Sequence, residues 1–303
     1  MYDTIIIGAG AAGITAAIYA ARANLKFEII SKDVGGLTLW SSDIENYTGY
    51  HNLTGIDLIE KFKQHMADYK IKVKEDKVTK VEKNNNNFIV KTEKQEFETK
   101  TVIICSGSSP RKLEVPGADK FEKKGLVYCA TCDGPLFAGK DVVVIGGGDA
   151  ALDAANTLIN MGISKIYIIN LNPELTGTDK TLLNNVLKSN KVEVINNAKT
   201  TEVIGDKFVN GLKYEEKGQE KTLDIQGVFV EIGHVRNIDF IESLVKLNDK
   251  KEIIVDKTGA TNVSGIFAAG DVTDLPGKQT VIACGDGSRA LLSAFAYITK
   301  RGK

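Results

Sequence analysis

The sequence has few of the residues that build metal centres or disulfide scaffolds. Its 303 residues include four cysteines and three histidines. Four cysteines are too few to staple a chain of this length, so a disulfide-rich secreted fold is excluded and a reducing cytoplasm is the expected setting. The histidines, His51, His65 and His234, form no His-x3-5-His pair, which argues against a zinc site of that kind.

The chain also lacks net charge and long hydrophobic runs. Lys plus Arg equals Asp plus Glu at 39 each, so no global field attracts nucleic acid or an anionic membrane surface. No uninterrupted apolar stretch approaches the roughly 20 residues of a membrane span, and no targeting signal is recognisable. The apolar content of 43% is ample for packed cores. We therefore expect a soluble globular protein with no membrane or nucleic-acid partner.

What the sequence does contain is a pair of cysteines followed at once by a carboxylate, in Cys129-Ala130-Thr131-Cys132-Asp133. Two cysteines at this spacing can close a small disulfide ring, and Asp133 stands where it can give a proton to a leaving thiolate. Half of a zinc site is the alternative, but Cys105 and Cys284 are isolated and provide no second pair of ligands. The pattern favours redox chemistry.

A glycine-rich turn joins the first predicted strand, Tyr2–Ile7, to the first predicted helix, Ile14–Ala23. Its sequence is Gly8-Ala9-Gly10-Ala11-Ala12-Gly13. Strand, G-x-G-x-x-G and helix in this order indicate a dinucleotide site, because the glycines allow a tight turn and a close approach of the backbone to pyrophosphate. The next predicted strand, Phe27–Ile30, is followed by Ser31, where an acidic residue often binds the ribose.

The second half of the chain repeats this pattern. Asp141–Ile145 is a predicted strand, Gly146–Ala151 is a G-x-G-x-x-A turn, and Leu152–Met161 is its helix. Two dinucleotide-type folds in one chain are typical of an enzyme that passes electrons between two carriers. Further along, an apolar strand ends in Gly270-Asp271, and an Asp at the carboxyl end of a parallel strand points into the ligand crevice. The last predicted helix is Gly285–Thr299.

These elements predict an α/β protein with two Rossmann-like, three-layer domains, the second inserted in the first. Each domain is expected to carry an antiparallel β meander, one between Ile71 and Val102 and one between Val192 and Val228. The expected bounds are 1–113 plus 246–303 for the larger domain and 114–245 for the inserted domain, which carries the cysteine pair.

Taken together, the motifs resemble the low-molecular-weight thioredoxin reductase family along nearly the full chain. The matching motifs, in the family's order and spacing, are Gly8–Gly13, Gly35-Gly36, Glu45-Asn46, Cys129–Asp133, Gly146–Ala151, Gly233-His234 and Gly265–Asp271. The resemblance implies an FAD cofactor in the larger domain, thioredoxin as the partner, and a homodimer.

The resemblance also implies roles for individual residues. Cys132 would be the flavin-side sulfur, Cys129 the one that attacks the disulfide of thioredoxin, and Asp133 the general acid. The residues expected to hold FAD are Gly8, Gly10, Ala11, Gly13, Ser31, Gly36, Asn46, Gly107, Asp271, Lys278 and Gln279. Because the cysteines lie on the inserted domain, the resemblance implies a domain rotation in each turnover, with hinges near Leu113–Gly117 and Val245.

One stretch departs from the family pattern. Ile169–Thr176 stands where NADPH-using members carry a His-Arg-Arg segment and a further Arg, and it contains no Arg or Lys. Asn170 is not the carboxylate expected for NAD either. Members with this loss resemble reductases that take electrons from ferredoxin or, more rarely, from a reduced deazaflavin. Ferredoxin is the expected donor, and candidates for a basic docking patch are Lys120, Lys123 and Lys124, or Lys61 and Lys63.

Two alternatives stay open. A conventional NAD(P)H-dependent thioredoxin reductase would hold its nucleotide at Gly146–Ala151 through contacts that the sequence does not reveal. The alternative from another class is a redox-sensing or binding flavoprotein, and the intact set of Cys129, Cys132 and Asp133 argues against it. A binding module has no need for an acid beside a disulfide, and the same set disfavours a ferredoxin–NADP reductase without disulfide chemistry.

Overall fold

The computed structural model describes residues 1–41, 44 and 46–301, which form two compact units. The first unit comprises Met1–Ser109 and Val235–Lys303, and the second comprises Pro110–His234. The return to the first unit lies before the expected boundary at residue 246. The physical reason is that Ile238, Ile241 and Val245 pack in the hydrophobic core of the first unit.

The first unit contains a seven-stranded sheet with helices around it. Its strands are β1 (Tyr2–Ile7), β2 (Phe27–Ser31), β3 (Val73–Glu75), β4 (Val78–Asn84), β5 (Asn87–Thr92), β6 (Glu96–Ile104) and β17 (Ile266–Ala268). Its helices are α1 (Ala11–Arg22), α2 (Gly55–Asp68) and α7 (Thr280–Arg301). The strand order is β3-β2-β1-β6-β5-β4, and β17 pairs with β6.

Strand β6 joins the parallel and antiparallel parts of this sheet. Its first half pairs antiparallel with β5, and its second half pairs in parallel with β1 and β17. The expected meander therefore consists of β4, β5 and β6, whereas β3 pairs in parallel with β2. The central strands β1, β2 and β6 carry pairs of buried isoleucines in their second halves, the composition typical of parallel strands covered on both faces.

The second unit contains a five-stranded parallel sheet and a separate three-stranded antiparallel sheet. Its strands are β8 (Leu126–Val127), β9 (Asp141–Ile145), β10 (Lys165–Asn170), β11 (Val192–Asn196), β12 (Ala198–Gly205), β13 (Val209–Glu216), β14 (Gln219–Leu223) and β15 (Gly227–Val230). Its helices are α3 (Ala118–Phe121), α4 (Ala130–Asp133), α5 (Asp149–Asn160) and α6 (Lys180–Lys188). The parallel order is β11-β10-β9-β15-β8, and β12, β13 and β14 form the second meander.

Two short strands, β7 (Ser108–Pro110) and β16 (His234–Arg236), contain the positions where the chain passes between the units. The α/β prediction with two Rossmann-like parallel sheets is confirmed.

Helix α7 differs from its prediction in length and in character. It begins at Thr280 and runs through Gly285, the residue at which the predicted helix began. Among the described residues, α7 is the one helix that is long and apolar enough to cross a membrane, judged by length and composition alone. No stretch of this kind was expected from the sequence. One face of α7 is nevertheless packed within the first unit. A Cβ atom on Gly287 would lie 2.0 Å from the carbonyl oxygen of Ala12, so this glycine permits the close approach of α7 to α1.

Candidate active site

Cys129 and Cys132 form a disulfide at the start of α4, with their Cα atoms 5.4 Å apart. Cys129 is the N-cap residue of this short helix, and its Sγ atom accepts a hydrogen bond from the backbone N–H of Cys132 at 3.0 Å. The two sulfurs differ in accessibility, because Cys129 is only 7% exposed whereas Cys132 is exposed. No group of three or more His, Cys, Asp or Glu side chains in residues 1–41, 44 and 46–301 is arranged to hold a metal ion.

Asp133 is the last residue of α4 and lies half-buried beside the disulfide. Burial raises the pKa of its carboxyl group above the ordinary aspartate value. A carboxyl group that keeps its proton to higher pH is a better proton donor near neutrality. A half-buried carboxyl group with a raised pKa thus stands one residue from Cys132.

The helix that carries the cysteines is held against α5. Ala130 belongs to the same hydrophobic cluster as Ala151, Leu152 and Leu158 of α5. Gly134 directly follows α4, and a Cβ atom there would lie 2.5 Å from the sulfur of Met161, so the chain approaches the end of α5 very closely. This packing fixes the position of the disulfide relative to the second glycine turn, from which α5 starts.

The first glycine turn has two glycines that serve packing and one that leaves open space. A Cβ on Gly8 would lie 2.3 Å from the carbonyl oxygen of Cys105, and one on Gly13 would lie 1.8 Å from the carbonyl oxygen of Gly8. Gly10 is the N-cap residue of α1 and has no side chain that could cap the helix. The atom nearest to a Cβ placed on Gly10 would be the carbonyl oxygen of Gly35, at 4.0 Å. The first-turn N–H groups of α1, including that of Ala11, therefore border open space that suits a pyrophosphate.

Four of the predicted FAD residues follow or end strands at one edge of the sheet in the first unit. Gly8 follows β1, Ser31 ends β2, Gly107 comes after β6 and Asp271 comes after β17. These strands run in parallel, so their carboxyl ends lie at the same edge. This edge is where open α/β sheets bind their ligands.

The remaining predicted FAD residues lie on two connecting segments of the same unit. The turn at Gly36 approaches Gly10, since a Cβ on Gly36 would lie 3.5 Å from the Cα of Gly10. The side-chain amide of Asn46 donates to Oε1 of Gln279 at 2.9 Å, and the amine of Lys278 donates to the carbonyl oxygen of Thr273. Glu45, which the resemblance pairs with Asn46, lies outside the described residues. The open glycine turn and the shared strand edge fit an FAD cofactor.

The second glycine turn is bordered by a side chain whose function the sequence did not reveal. Asn170 ends β10 and is 2% exposed. Its Nδ2 atom donates to the carbonyl oxygens of Asn172 at 3.1 Å and Glu174 at 2.8 Å, and to Oδ1 of Asn196 at 2.9 Å. A Cβ on Gly147 would lie 2.2 Å from Oδ1 of Asn170, so Asn170 fills the space beside this turn.

The segment that follows β10 folds back across the same turn. The N–H of Thr176 donates to the carbonyl oxygen of Gly147 at 2.7 Å. The carboxylate of Asp149 accepts hydrogen bonds from the backbone N–H of Asp179 at 3.0 Å and from the N–H and hydroxyl of Thr178 at 2.6 and 2.9 Å. These bonds lower the pKa of Asp149, so a negative charge stands at the first residue of α5.

A second carboxyl group near this turn was also missed. Glu231 follows β15, and its carbonyl oxygen would lie 2.2 Å from a Cβ on Gly146. Burial and the nearby charge of Asp153 raise the pKa of Glu231 to about 8. The signal that could have identified it is a carboxylate directly after a buried apolar strand. At this turn the structure thus places the backbone of Glu231 beside Gly146 and the ionised carboxylate of Asp149 at the start of α5.

The lysines considered for docking have different surroundings. Lys120 and Lys124 line a surface pocket together with Asp206, Lys207 and Phe208. Lys63 forms an ion pair with Glu60 at 2.7 Å, and Lys61 lies over the ring of Tyr50 at 5.1 Å from its centroid.

Comparison with known proteins places this geometry in a class. The crystal structure of Lactococcus lactis thioredoxin reductase (FR conformation) superposes with a TM-score of 0.91 at 32% identity, covering 99% of this chain and 100% of that one. A Ferredoxin-Flavin Thioredoxin Reductase from Clostridium acetobutylicum superposes with a TM-score of 0.56 at 32% identity, covering 99% and 98%. The fold and the cysteine pair define a flavin disulfide oxidoreductase of the thioredoxin reductase type, and FAD is its cofactor.

The family assignment follows from the sequence match. Residues 2–287 match the family described as Pyridine nucleotide-disulphide oxidoreductase, and the chain belongs to this family. Among curated relatives, an NADH dehydrogenase of Bacillus subtilis is 39% identical over 302 residues, which cover 99% of this chain and 59% of the relative. An alkyl hydroperoxide reductase component of Staphylococcus epidermidis matches at the same identity and coverage. The chain thus spans about three fifths of the length of the curated relatives that it matches.

Proposed function

We propose that the protein is an FAD-dependent thioredoxin reductase that passes electrons through the Cys129–Cys132 disulfide to thioredoxin and receives them from ferredoxin. The thioredoxin step is supported by a likeness to a thioredoxin reductase that covers 99% of this chain and by the Cys129–Cys132 disulfide. The same likeness supports a homodimer, and the small number of cysteines supports a cytoplasmic setting.

The choice of donor rests on one observation, the closed second glycine turn. NADPH carries a 2′-phosphate that needs a cation, and Ile169–Thr176 offers none. Nδ2 of Asn170 already donates to Asn172, Glu174 and Asn196, and the N–H of Thr176 holds the segment to Gly147. Opening the turn would break such bonds at a cost of about 1 kcal/mol each. The ionised Asp149 adds a charge of the wrong sign. The likeness to a Ferredoxin-Flavin Thioredoxin Reductase supports ferredoxin in place of a nucleotide.

The chemistry of the chain's own residues follows from thiol exchange. When bound, FAD can take up electrons singly and pass them on as a pair, which suits a one-electron donor. The exposed Cys132 takes part in the reductive opening of the disulfide, and Asp133 supplies a proton to the sulfur that leaves. The disulfide gains two electrons and two protons and becomes a dithiol.

The second half of the cycle belongs to Cys129. Its thiol gives its proton to Asp133 and the resulting thiolate attacks the disulfide of thioredoxin, forming a mixed disulfide, while one sulfur of thioredoxin leaves and takes up the proton from Asp133. Cys132 then attacks the Cys129 sulfur, the internal disulfide is restored, and reduced thioredoxin is released. Because Cys129 is 7% exposed, it has to become accessible before this attack. The rotation that the family resemblance implies would provide that access.

A conventional NAD(P)H-dependent reductase is the second candidate. It is favoured by the retained glycines Gly146, Gly147 and Gly148, which directly precede α5 in the second unit. In this case the nucleotide would bind after Asn170 and Thr176 release the turn.

An anaerobic titration distinguishes the two candidates. The visible flavin band is followed while NADPH, NADH and chemically reduced ferredoxin are added in separate cuvettes, with oxidised thioredoxin present. We expect rapid bleaching with ferredoxin and none with the nucleotides. Bleaching by NADPH or NADH at micromolar concentration would contradict the proposed donor and would establish the second candidate.

A further inference from the structure

A partly buried cluster of two cations and one carboxylate lies in the first unit, away from the cysteine pair in sequence. Glu252 is 7% exposed and forms ion pairs with Arg236 at 2.7 Å and with Lys278 at 3.4 Å. Nδ2 of Asn248 donates to its second oxygen at 2.8 Å. Burial alone would raise the pKa of Glu252, but the hydrogen bonds from Asn248 and Arg236 and the charges of Lys278 and Arg236 lower it to about 2. Glu252 is therefore ionised at neutral pH.

Both cations depend on this carboxylate. The Arg236 side chain is 17% exposed, its Nη2 atom donates to Glu252 at 2.7 Å, and its Nε atom is buried without a hydrogen-bond partner among the described residues. The Lys278 amine also donates to the carbonyl oxygen of Thr273, and its charge acts on the nearby carboxyl group of Asp286. Without Glu252, Arg236 and Lys278 would both lose the carboxylate that they share.

The cluster joins two positions that matter for the proposed reaction. Arg236 lies in β16, next to the point at which the chain returns from the second unit. Lys278 and Gln279 lie between Asp271 and α7, on the segment assigned to FAD, and Gln279 is held on its other side by Asn46. Glu252 is thus the link between the returning strand and the segment that precedes α7.

We propose that Glu252 is a positioning residue for FAD binding, which holds Lys278 at the edge of the FAD crevice and anchors it to Arg236. The inference rests on the proposed function only in taking Lys278 and Gln279 as FAD residues. Glu252 touches neither the disulfide nor the reacting atoms, and it acts through Lys278. Removing its charge frees Lys278 to turn away from the crevice, so that FAD dissociates faster.

The test compares the rate at which holoprotein variants lose FAD, followed by the rise of free-flavin fluorescence after dilution. The matched control is Glu242→Gln, because Glu242 forms an exposed ion pair with Lys251 at 3.7 Å, with side chains 45% and 73% exposed. We expect Glu252→Gln to release FAD about tenfold faster, the factor that corresponds to one charged hydrogen bond, and the control to match the unmodified protein. The visible absorption band of the bound flavin should shift in Glu252→Gln and not in the control.

Two further variants separate positioning from mere neutralisation of Arg236. The pair Arg236→Gln with Glu252→Gln removes the unpaired buried charge and restores folding stability, but it should still release FAD quickly because Lys278 remains unanchored. Lys278→Gln should release FAD at the same rate, and adding Glu252→Gln to it should change nothing further.

The outcomes are distinct. If the Arg236→Gln, Glu252→Gln protein releases FAD as slowly as the unmodified protein while Lys278→Gln releases it quickly, Glu252 only neutralises Arg236 and the positioning role is overturned. If Lys278→Gln itself leaves FAD release unchanged, Lys278 is not an FAD residue and the inference falls together with that assignment. Neither readout uses ferredoxin or thioredoxin, so the proposed donor and acceptor stand or fall separately.

Discussion

Replacing Gly10 with alanine should abolish FAD binding while leaving the fold intact. The backbone at Gly10 has φ −79° and ψ −171°, an extended conformation that alanine adopts without strain. The nearest atom to the new Cβ is the carbonyl oxygen of Gly35 at 4.0 Å, so the methyl group meets no clash within the protein. A Gly→Ala change at a compatible position alters stability by no more than about 1 kcal/mol and usually raises it. The stability of the FAD-free protein should therefore be unchanged or slightly higher.

The same methyl group would occupy the space where the backbone has to approach the pyrophosphate. At an FAD concentration of about 100 times the dissociation constant, binding stabilises the folded state by about 2.7 kcal/mol. Gly10→Ala should lose this increment. Urea unfolding with and without added FAD, together with the flavin absorbance of the purified protein, measures both effects.

Gly13→Ala is the matched control. Its Cβ would lie 1.8 Å from the carbonyl oxygen of Gly8, so the backbone has to shift and stability should fall by several kcal/mol with or without FAD. Purification of Gly10→Ala with one FAD per chain would refute the assignment of Gly10 to the pyrophosphate.

Four further results are expected. Cys132→Ser should keep donor-dependent bleaching of the flavin but lose thioredoxin reduction, whereas retained turnover would contradict the role of the disulfide. Asp133→Asn should slow thioredoxin reduction by about 100-fold in stopped-flow experiments, because the proton donor is lost, and an unchanged rate would remove Asp133 as the acid. Phe229→Ala should cost about 3–5 kcal/mol in urea unfolding, since Phe229 is fully buried and packs edge-on against Phe137 at 5.3 Å, and a cost under 1 kcal/mol would contradict this packing. Glu252 has a pKa of about 2 in the folded protein against 4.5 ordinarily, so its contribution to the free energy of unfolding is present above pH 4.5 and is lost as the pH falls toward 2. Glu252→Gln should flatten this part of the plot of the free energy of unfolding against pH, measured by urea unfolding.

The parts of the fold that could be predicted are those in which local chemistry dictates structure. The strand Tyr2–Ile7 was predicted with its observed bounds because a run of isoleucines between a polar start and a glycine turn has few alternatives. Helix bounds were less accurate. Helix α7 extends on both sides of its predicted range, and Gly285 and Gly287 lie inside it because close packing on α1 outweighs their low helix propensity.

The parts that could not be predicted depend on contacts between residues far apart in sequence. Asn170 was recognised as unsuited to NAD, but nothing in the sequence shows that it binds Asn196 and closes the turn. In the same way, the pairing of Arg236 with Glu252 follows from the tertiary structure alone. Side-chain pairing of this kind carries no periodic signal.

The central claim, that FAD and the Cys129–Cys132 disulfide form one electron-transfer unit, is tested most directly by an anaerobic reductive titration. The purified holoprotein is titrated with dithionite, and the electrons consumed per chain are counted from the flavin absorbance and from free thiols. Because FAD and a disulfide are each two-electron couples, we expect about four electrons per chain, and about two for Cys129→Ser. Uptake of about two electrons by both proteins, with no new thiols, would contradict the account.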